Sequence, residues 1–320
     1  MQRMKGNLSS LTILRFRFGP CLMLLLFQVW ATPTRADDAT LFPDELVKFV
    51  AEAPIVFDGD AKSWDKKIRE RGWILREGTQ YRLWYTGYDG SKTGIRRLGY
   101  ATSQDGVRWE RQSHEPMLPE LWVEDMMVLK VGGTYWMFAE GARDRAHLLS
   151  STDGVHWKPL GPLDIRYVNG TPIMDGPYGT PTAWFEHDRW YLFYERMDRG
   201  VWLATSTDMQ VWTHVQDEPV MVPGPDAYDR DMIAFNQIIK HGGRYYVYYH
   251  GSATAQPGQP TLWNTCIATS TDLVHWHKYP GNPLLPTANN QSSGIVVERS
   301  GRWQLFTMHP EVHLHDALAP

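Results

Sequence analysis

The apolar positions of this chain fall into five pairs of short runs, and each pair is joined by a short polar turn. Hydrophobic and aromatic residues fill both runs of a pair, and Gly, Asp or Ser stands in or beside each turn. Short apolar runs bounded by turn residues are typical of β-strands, and two of them around such a turn predict a hairpin. The five predicted hairpins cover residues 72–87, 126–141, 181–196, 236–251 and 294–309.

A second pattern follows four of these hairpins. Each segment contains Ser-x-Asp and then a Trp four residues after the Asp, as in ATSQDGVRW (101–109), LSSTDGVHW (149–157), ATSTDMQVW (204–212) and ATSTDLVHW (268–276). Four-stranded repeats of roughly this length are typical of β-propellers, and five hairpins predict five blades. We expect each Asp to accept hydrogen bonds from its own turn and each Trp to pack between neighbouring sheets.

The N-terminal part of the chain supplies what the fifth repeat lacks. No Ser-x-Asp segment follows the last hairpin, whereas ELVKFVAEAPIVFDG (45–59) resembles the run after the other tryptophans, such as WHKYPGNPLLP (276–286). We therefore predict an all-β fold, a five-bladed β-propeller whose last blade is closed by the N-terminal strand. Such closure leaves no open sheet edge.

The first 36 residues have a different character from the repeats. A basic stretch without acidic residues precedes the apolar run CLMLLLFQVWA (21–31), which is too short to span a bilayer and is followed by small residues. This pattern predicts a signal peptide over 1–36 and a single propeller domain over 37–320. We expect a secreted or periplasmic protein, with an uncleaved membrane anchor as the alternative.

Charge and aromatic content narrow the class of partner. Without residues 1–36 the chain carries 27 Lys and Arg against 36 Asp and Glu, a net charge of −9. This balance argues against nucleic acid and, after signal cleavage, against a membrane surface. The 15 Trp and 15 Tyr suit carbohydrate recognition, because flat rings stack on the C–H faces of sugars. We expect a carbohydrate substrate and no cofactor; a structural cation in the central channel and the oligomeric state are left open.

Strand direction predicts where the polar residues meet. If each hairpin forms the two inner strands of a blade, the start of the first strand and the end of the second lie on one face. Residues from five blades then converge on one central pocket. Unpaired buried acids are costly, so a carboxylate-rich pocket must be paired, metal-bound or functional. Glycoside hydrolysis needs one carboxylic acid and one carboxylate.

These features resemble a known group over about 40–315. The hairpins, the Ser-x-Asp-Gly-x-x-Trp strands and Asp125, ten residues before Tyr135, are similar to the five-bladed propeller glycosidases, which include family 43 arabinofuranosidases and xylosidases. The resemblance implies an Asp base on the first blade, a second Asp on the next blade that tunes and orients, and a Glu acid from a later blade. Only the second role carries over directly, to Asp125.

Two of the three roles have no direct match. Our alignment of the hairpins places Arg71 at the base position, with Glu70 beside it and Asp65 six residues earlier. Glu195, at the end of a second strand, is the nearest candidate for the acid. The candidate catalytic residues are therefore Asp65, Glu70, Glu124, Asp125 and Glu195.

Each candidate has a structural alternative. The alternative for Asp65 is a loop cap, and the alternative for the other acids is an ion pair with a neighbouring arginine. We expect no metal ligands. The candidate substrate-binding residues are Arg71, Glu140, Tyr178, Asp231, His250 and His309.

The leading hypothesis is a secreted glycoside hydrolase that cleaves plant or algal oligosaccharides and polysaccharides. Inversion of the anomeric centre is what the resemblance implies. One alternative is a mannoside phosphorylase-like enzyme, which needs a cationic phosphate pocket. The other is a non-catalytic sugar-binding propeller, which needs the aromatic residues but not the carboxylates.

Overall fold

The computed structural model describes residues 41–174 and 176–318, and the predicted signal peptide lies outside them. Within these ranges the chain forms 21 strands, one short α-helix and one 3-10 turn (Thr287–Asn289). No helix in the described part is long and apolar enough to cross a membrane. The helix α1 (Asp44–Val47) leads into the first strand, β1 (Ile55–Phe57).

Blades one and two each contain four antiparallel strands that follow one another from the axis outward. Blade one consists of β2 (Lys67–Glu77), β3 (Gln80–Tyr88), β4 (Arg97–Ser103) and β5 (Glu110–Arg111). Blade two consists of β6 (Glu124–Val131), β7 (Thr134–Gly141), β8 (Arg145–Ser151) and β9 (Lys158–Pro162).

Blade three has an additional strand on its outer edge. The strand β10 (Asp164–Arg166) pairs in parallel with the outermost strand of the blade. Blade three then consists of β11 (Gly179–Glu186), β12 (Arg189–Glu195), β13 (Val201–Ser206) and β14 (Val211–His214). Blade four consists of β15 (Met232–His241), β16 (Arg244–Ser252), β17 (Trp263–Ser270) and β18 (His277–Lys278).

Blade five is built from both ends of the described chain. It contains β19 (Ile295–Arg299), β20 (Arg302–Thr307), β21 (Val312–Asp316) and, outermost, β1. Phe57 pairs with Val312 in the antiparallel β1–β21 contact. The predicted five-bladed propeller, with its last blade closed by the N-terminal strand, is therefore confirmed.

The Ser-x-Asp turns have the predicted hydrogen bonds. In blade one, Asp105 Oδ1 accepts from the backbone N–H groups of Val107 and Arg108 at 2.9 and 2.8 Å. Ser103 Oγ accepts from the N–H of Gly106 at 2.9 Å, and Gly106 has the left-handed φ of 72° that this turn requires. Blades two and four repeat the bonds to the Asp. These acids stabilise turns on the face opposite the expected pocket.

Three of the repeated tryptophans connect neighbouring blades. Trp157 packs edge-on against Trp84 of the preceding blade, with ring centroids 6.2 Å apart. Trp212 contacts Phe138 at 5.8 Å, and the next repeat has the same kind of contact between Trp276 and Phe193 at 6.1 Å. Aromatic contacts at this spacing add to the free energy of burial, so the repeated Trp holds adjacent sheets together.

Removing one of these rings should destabilise the whole propeller. Trp212 is fully buried, and Trp212→Ala is expected to lower the free energy of unfolding by about 3–5 kcal/mol, because it leaves a large cavity between two blades. Trp202 lies in the same blade, is only partly buried and donates to the Asp217 carbonyl. Chemical denaturation should show a clearly smaller loss for Trp202→Ala, and equal losses would contradict the proposed role of Trp212.

Candidate active site

The pocket end of the inner strands is shaped by a repeated bulge. One residue of this bulge takes the left-handed conformation in three blades, namely Glu70 in blade one (φ 57°), Asp125 in blade two (45°) and Thr180 in blade three (42°). In blade five Ser293 has the same conformation (54°) without a shift of register. This conformation is costly for residues other than glycine, by about 1–3 kcal/mol, and it concentrates at functional sites. The fold therefore holds three equivalent, strained residues around one axis.

The bulges correct our alignment of blade one. On the inner strand of blade one, three residues lie between the paired residues that flank the bulge. In blade two only two residues lie between them. Both Glu70 and Asp125 have a left-handed backbone conformation, and each directly follows the paired residue that precedes the bulge. Glu70, and not Arg71, is therefore the structural equivalent of Asp125, and Arg71 occupies the position next to it because blade one has one more residue in its bulge.

Arg71 is fully buried where the inner strands approach one another, and it does not line the pocket. Burial lowers the pKa of Arg71 to about 10, so it remains charged at neutral pH. The guanidinium lies among the inner strands of blades two, three and four. It donates to the hydroxyl of Thr182 and to the carbonyls of Asp125, Pro181, Phe235 and Asn236.

A cavity of about 200 Å³ lies at the pocket end of the inner strands. Among the described residues, no group of three or more His, Cys, Asp or Glu is arranged to hold a metal ion. Other side chains on its wall include Arg69, Met197, His250 and Trp263. The carboxylates that line it are Glu70, Asp125, Glu140, Asp144, Glu195 and Asp198.

Glu140 and Glu195 lie on either side of Gly179. Glu140 Oε2 accepts from the N–H of Thr180 at 2.9 Å, and Glu195 Oε1 accepts from the N–H of Gly179 at 3.1 Å. A β-carbon on Gly179 would lie 2.2 Å from the first oxygen and 2.6 Å from the second. The two oxygens are thus at most about 4.8 Å apart, the sum of those distances. Only glycine leaves room for both carboxyl groups.

Burial gives the carboxyl groups of the pocket different protonation states. It raises the pKa of Glu195 to about 8, with a further contribution from the charge of Asp198. Burial, followed by the nearby charges of Asp125, Glu124 and Glu195, raises the pKa of Glu140 well above its ordinary value. The pKa of Asp125 rises to about 6, because Arg71 opposes part of the effect of burial. At neutral pH Glu195 is therefore mostly protonated and Asp125 mostly ionised, and the raised pKa of Glu140 favours its neutral form.

The loops after β7 and β12 bring two further acids that our sequence analysis missed. In both loops a Glu at the strand end is followed within four residues by a left-handed Asp, Asp144 (φ 51°) or Asp198 (56°). Each Asp carbonyl accepts, at 2.7 Å, an N–H from the segment that enters or begins the next inner strand. The shared pattern of Glu, Asp and Arg in EGARDR (140–145) and ERMDR (195–199) was the signal that could have found them.

Two histidines lie near the acids. His250, on β16, lines the pocket, and its Nδ1 lies 2.9 Å from Asn236 Oδ1. Burial, with smaller effects of Arg71 and His309, lowers the pKa of His250 to about 3, so it is neutral. His309 Nδ1 lies 3.3 Å from Glu70 Oε2, and Glu70 also forms an ion pair with Arg69.

The pocket contains a ring that sequence reasoning did not single out. Trp263 is partly exposed, lines the cavity and packs edge-on against His250 at 5.2 Å. Its position at the start of the third strand of blade four could not be distinguished in sequence from the many buried aromatic residues.

Besides Arg71 and His309, four further candidates lie outside the pocket wall. Asp65 is fully buried within blade one and accepts from Arg111 Nε and the Tyr85 hydroxyl, both at 2.8 Å. Glu124 is buried and accepts from the indole N–H of Trp122 at 2.9 Å.

The other two are predicted substrate-binding residues. Tyr178 is buried and packs edge-on against Tyr194, so it offers no free face for stacking. Asp231 accepts from the N–H of Thr254 at 2.7 Å and does not line the cavity. The contacts of all four residues are those of structural side chains.

Comparisons with known proteins give relatives of low identity. No family model matches the chain. An uncharacterized protein of Mycobacterium tuberculosis (strain ATCC 25618 / H37Rv) is 26% identical over 224 residues, 64% of this chain and 74% of the relative. A 1,2-beta-oligomannan phosphorylase from Thermoanaerobacter sp. (strain X514) is 22% identical over 224 residues, 64% of this chain and 72% of the relative.

Solved structures share the architecture. A glycosyl hydrolase from Bacteroides ovatus superimposes with a TM-score of 0.64 at 15% identity, covering 84% of this chain and 93% of that one. A thermostable family-43 glycoside hydrolase gives a TM-score of 0.55 at 18% identity, covering 78% and 88%. The resemblance to the five-bladed propeller glycosidases is confirmed as a distant one, at the level of the fold.

The raised pKa of Glu195 should be visible in the pH dependence of stability. Its folded-state value of about 8 exceeds the ordinary 4.5, so the unfolded chain releases this proton at lower pH than the folded chain. Stability is therefore lost as the pH rises from about 4.5 to about 8. Glu195→Gln removes this titration. Over the interval, the free energy of unfolding of the variant should therefore fall less than that of wild type, and the two losses should differ by on the order of a few kcal/mol.

Glu77 provides a control of opposite sign. Hydrogen bonds from Lys130, Tyr135 and Arg82 outweigh the effect of burial and lower the pKa of Glu77 to about 2. Glu77→Gln should be less stable than wild type at neutral pH. The difference should shrink as the pH falls below the ordinary Glu pKa of 4.5 towards the folded-state pKa of about 2. Denaturant titrations at several pH values measure both effects. Parallel curves for wild type and Glu195→Gln would contradict the protonated state of Glu195.

Proposed function

We propose that this protein is a glycoside hydrolase whose active site is the carboxylate-lined cavity, which we call the axial pocket. The observation that carries the proposal is that one carboxylate-lined pocket holds both Glu195, whose pKa burial raises to about 8, and Asp125, whose pKa stays at about 6 beside Arg71. Hydrolysis of a glycosidic bond needs one protonated and one ionised carboxyl group at opposite sides of the bond. The fold shared with a glycosyl hydrolase from Bacteroides ovatus supports this assignment.

The structural equivalence of Glu70 and Asp125 supports the following proposed roles. Glu70, on the first blade, is proposed as the base, and Asp125, on the next blade, as the residue that orients and tunes. Glu195, from blade three, is proposed as the acid. The resemblance noted in the sequence implies these three roles, and the corrected alignment of blade one supplies a residue for each.

The proposed reaction is a single displacement. Glu195 donates its proton to the leaving glycosidic oxygen as the bond to the anomeric carbon breaks. Glu70 takes a proton from a water molecule that attacks this carbon from the opposite side, which inverts its configuration. His250 and Glu140 contact sugar hydroxyls, and Trp263 offers its partly exposed ring to a sugar face. We also propose that the protein acts after export, on plant or algal saccharides, on the basis of its N-terminal sequence.

A phosphorylase is the second candidate, because the 1,2-beta-oligomannan phosphorylase is a relative. A phosphorylase would have to place a phosphate anion in the position of the attacking water. The cavity wall offers Arg69 for this purpose, already in an ion pair with Glu70, and it carries six carboxyl groups. This charge disfavours phosphate and favours water as the nucleophile.

Substitution of the acid and the base should give distinguishable kinetic losses. Glu195→Gln and Glu70→Gln should each lower kcat/KM for an oligosaccharide by about 10²–10⁴-fold. An activated aryl glycoside has a leaving group that needs no proton, so Glu195→Gln should retain most activity on it, whereas Glu70→Gln should not. Glu186→Gln is the matched control, because Glu186 lies in blade three and pairs with Lys240 at the far end of the hairpin.

The pH profile and the product give independent checks. Activity on the oligosaccharide should fall as the pH rises through about 8, where Glu195 loses its proton. The first anomer released, followed by NMR, should have inverted configuration. Equal losses of Glu195→Gln on both substrates would contradict its role as acid.

The two candidate enzymes differ in their requirement for phosphate. A hydrolase should release free sugar at the same rate in phosphate-free buffer and with inorganic phosphate added. A phosphorylase should be inactive without phosphate and should form a sugar 1-phosphate. Chromatography of the products under both conditions decides between them, and a sugar 1-phosphate would overturn the proposal.

A further inference from the structure

A second cavity opens on the same face, between blades one and two. Its volume is about 490 Å³. Much of its wall is apolar, and it contains an indole, an imidazole, two arginines and one glutamate. The residues that matter here are Ile95, Trp122, Arg143, His147, Pro159 and Pro162. We refer to this cavity as the lateral groove.

One loop separates the lateral groove from the axial pocket. The chain leaves the pocket at Glu140, lines the groove from 141 to 143 and returns to the pocket at Asp144. An extended chain spans at most about 3.6 Å per residue, so Arg143 is within about 11 Å of Glu140. A short oligosaccharide can bridge this distance.

The groove wall holds a buried polar atom without a partner. His147 is 7% exposed, and its Nε2 has no hydrogen-bond partner among the described residues. Burial lowers the pKa of His147 to about 4, so the ring is neutral at neutral pH. A buried nitrogen without a hydrogen bond is destabilising unless a ligand supplies the missing group. A sugar hydroxyl can both donate and accept, so it suits either tautomer of the ring.

The groove also contains a ring suited to a sugar face. Trp122 is partly exposed, and its indole N–H is held by Glu124 at 2.9 Å. The guanidinium of Arg96 lies 5.6 Å from its ring centroid. The ring is therefore fixed in orientation before any ligand arrives, which lowers the entropy cost of stacking. Pro159 and Pro162 supply further rigid apolar surface.

We propose that the lateral groove binds a further sugar ring of the saccharide chain whose scissile bond lies in the axial pocket. The proposal rests on the proposed glycosidase function and specifies its substrate class. The substrate is an oligosaccharide or polysaccharide that crosses the loop 141–144, with one ring against Trp122 and a hydroxyl hydrogen-bonded to His147. A simple glycoside fills only the axial pocket.

Two groove variants and one control test the proposal. His147→Leu removes the imidazole, and Ile95→Trp fills the groove from the side of blade one, where Ile95 is 37% exposed. Ile55→Trp is the control, since Ile55 is 54% exposed on β1 of blade five. Values of kcat/KM are measured on an activated aryl glycoside and on oligosaccharides of increasing length that contain the same sugar.

For wild type, kcat/KM should rise as the oligosaccharide lengthens. His147→Leu should lower it about three- to tenfold for the longer substrates, the effect of one hydrogen bond, and Ile95→Trp should lower it at least as much. Activity on the aryl glycoside should stay within about twofold. The melting temperature of His147→Leu should not fall, because the substitution removes a buried group without a partner.

Other outcomes overturn the inference. It fails if the wild-type rate does not rise with chain length, or if both substrate classes lose activity together in the groove variants. If wild type cleaves none of the glycosides, the proposed function fails first. Calorimetric titration of the same oligosaccharides into wild type and His147→Leu then decides the groove separately, and equal affinities or an absence of binding would overturn it.

Discussion

The site depends on one buried guanidinium. Arg71 donates from the centre of the ring to backbone carbonyls of blades two, three and four, and its own N–H donates to Asp125 Oδ1 at 3.1 Å. A lysine could not replace it, because an ammonium group has three donors and lacks the planar fork. Arg71 therefore joins the inner strands through its side chain and contacts the Asp125 carboxylate through its backbone N–H.

The electrostatics of the pocket follow from this arrangement. A cation on the axis keeps Asp125 largely ionised at neutral pH in spite of its burial, whereas Glu140 and Glu195 face backbone N–H groups that compensate burial less well. Neutral and charged carboxyl groups therefore coexist within a few ångströms. Backbone strain at Glu70 and Asp125 is the cost of aiming both residues inward.

Much of the fold could be predicted from sequence, because the repeats are local. The Ser-x-Asp turns bond within a few residues, and the hairpins follow from alternating runs and turns. The site was predicted less well. Glu70 was misaligned because an extra residue in a bulge changes no hydrophobic pattern. Asp65 was misjudged because its partner Arg111 is 46 positions away along the chain. Asp144 and Asp198 lie in left-handed loops outside the hydrophobic pattern, so only the shared order of Glu, Asp and Arg marks them in the sequence.

The closure of blade five has a consequence for how the protein forms. His315 on β21 bonds to the Val50 carbonyl, 265 positions away along the chain, and Tyr248 bonds to the Leu46 carbonyl across 202 positions. Such contacts have a high loop-closure entropy and form slowly. Blades one to four can assemble as synthesis proceeds, but the ring cannot close until β21 exists. A chain that lacks β21 leaves β1 as an unpaired edge strand, and the addition of β21 converts an open arc into a closed ring.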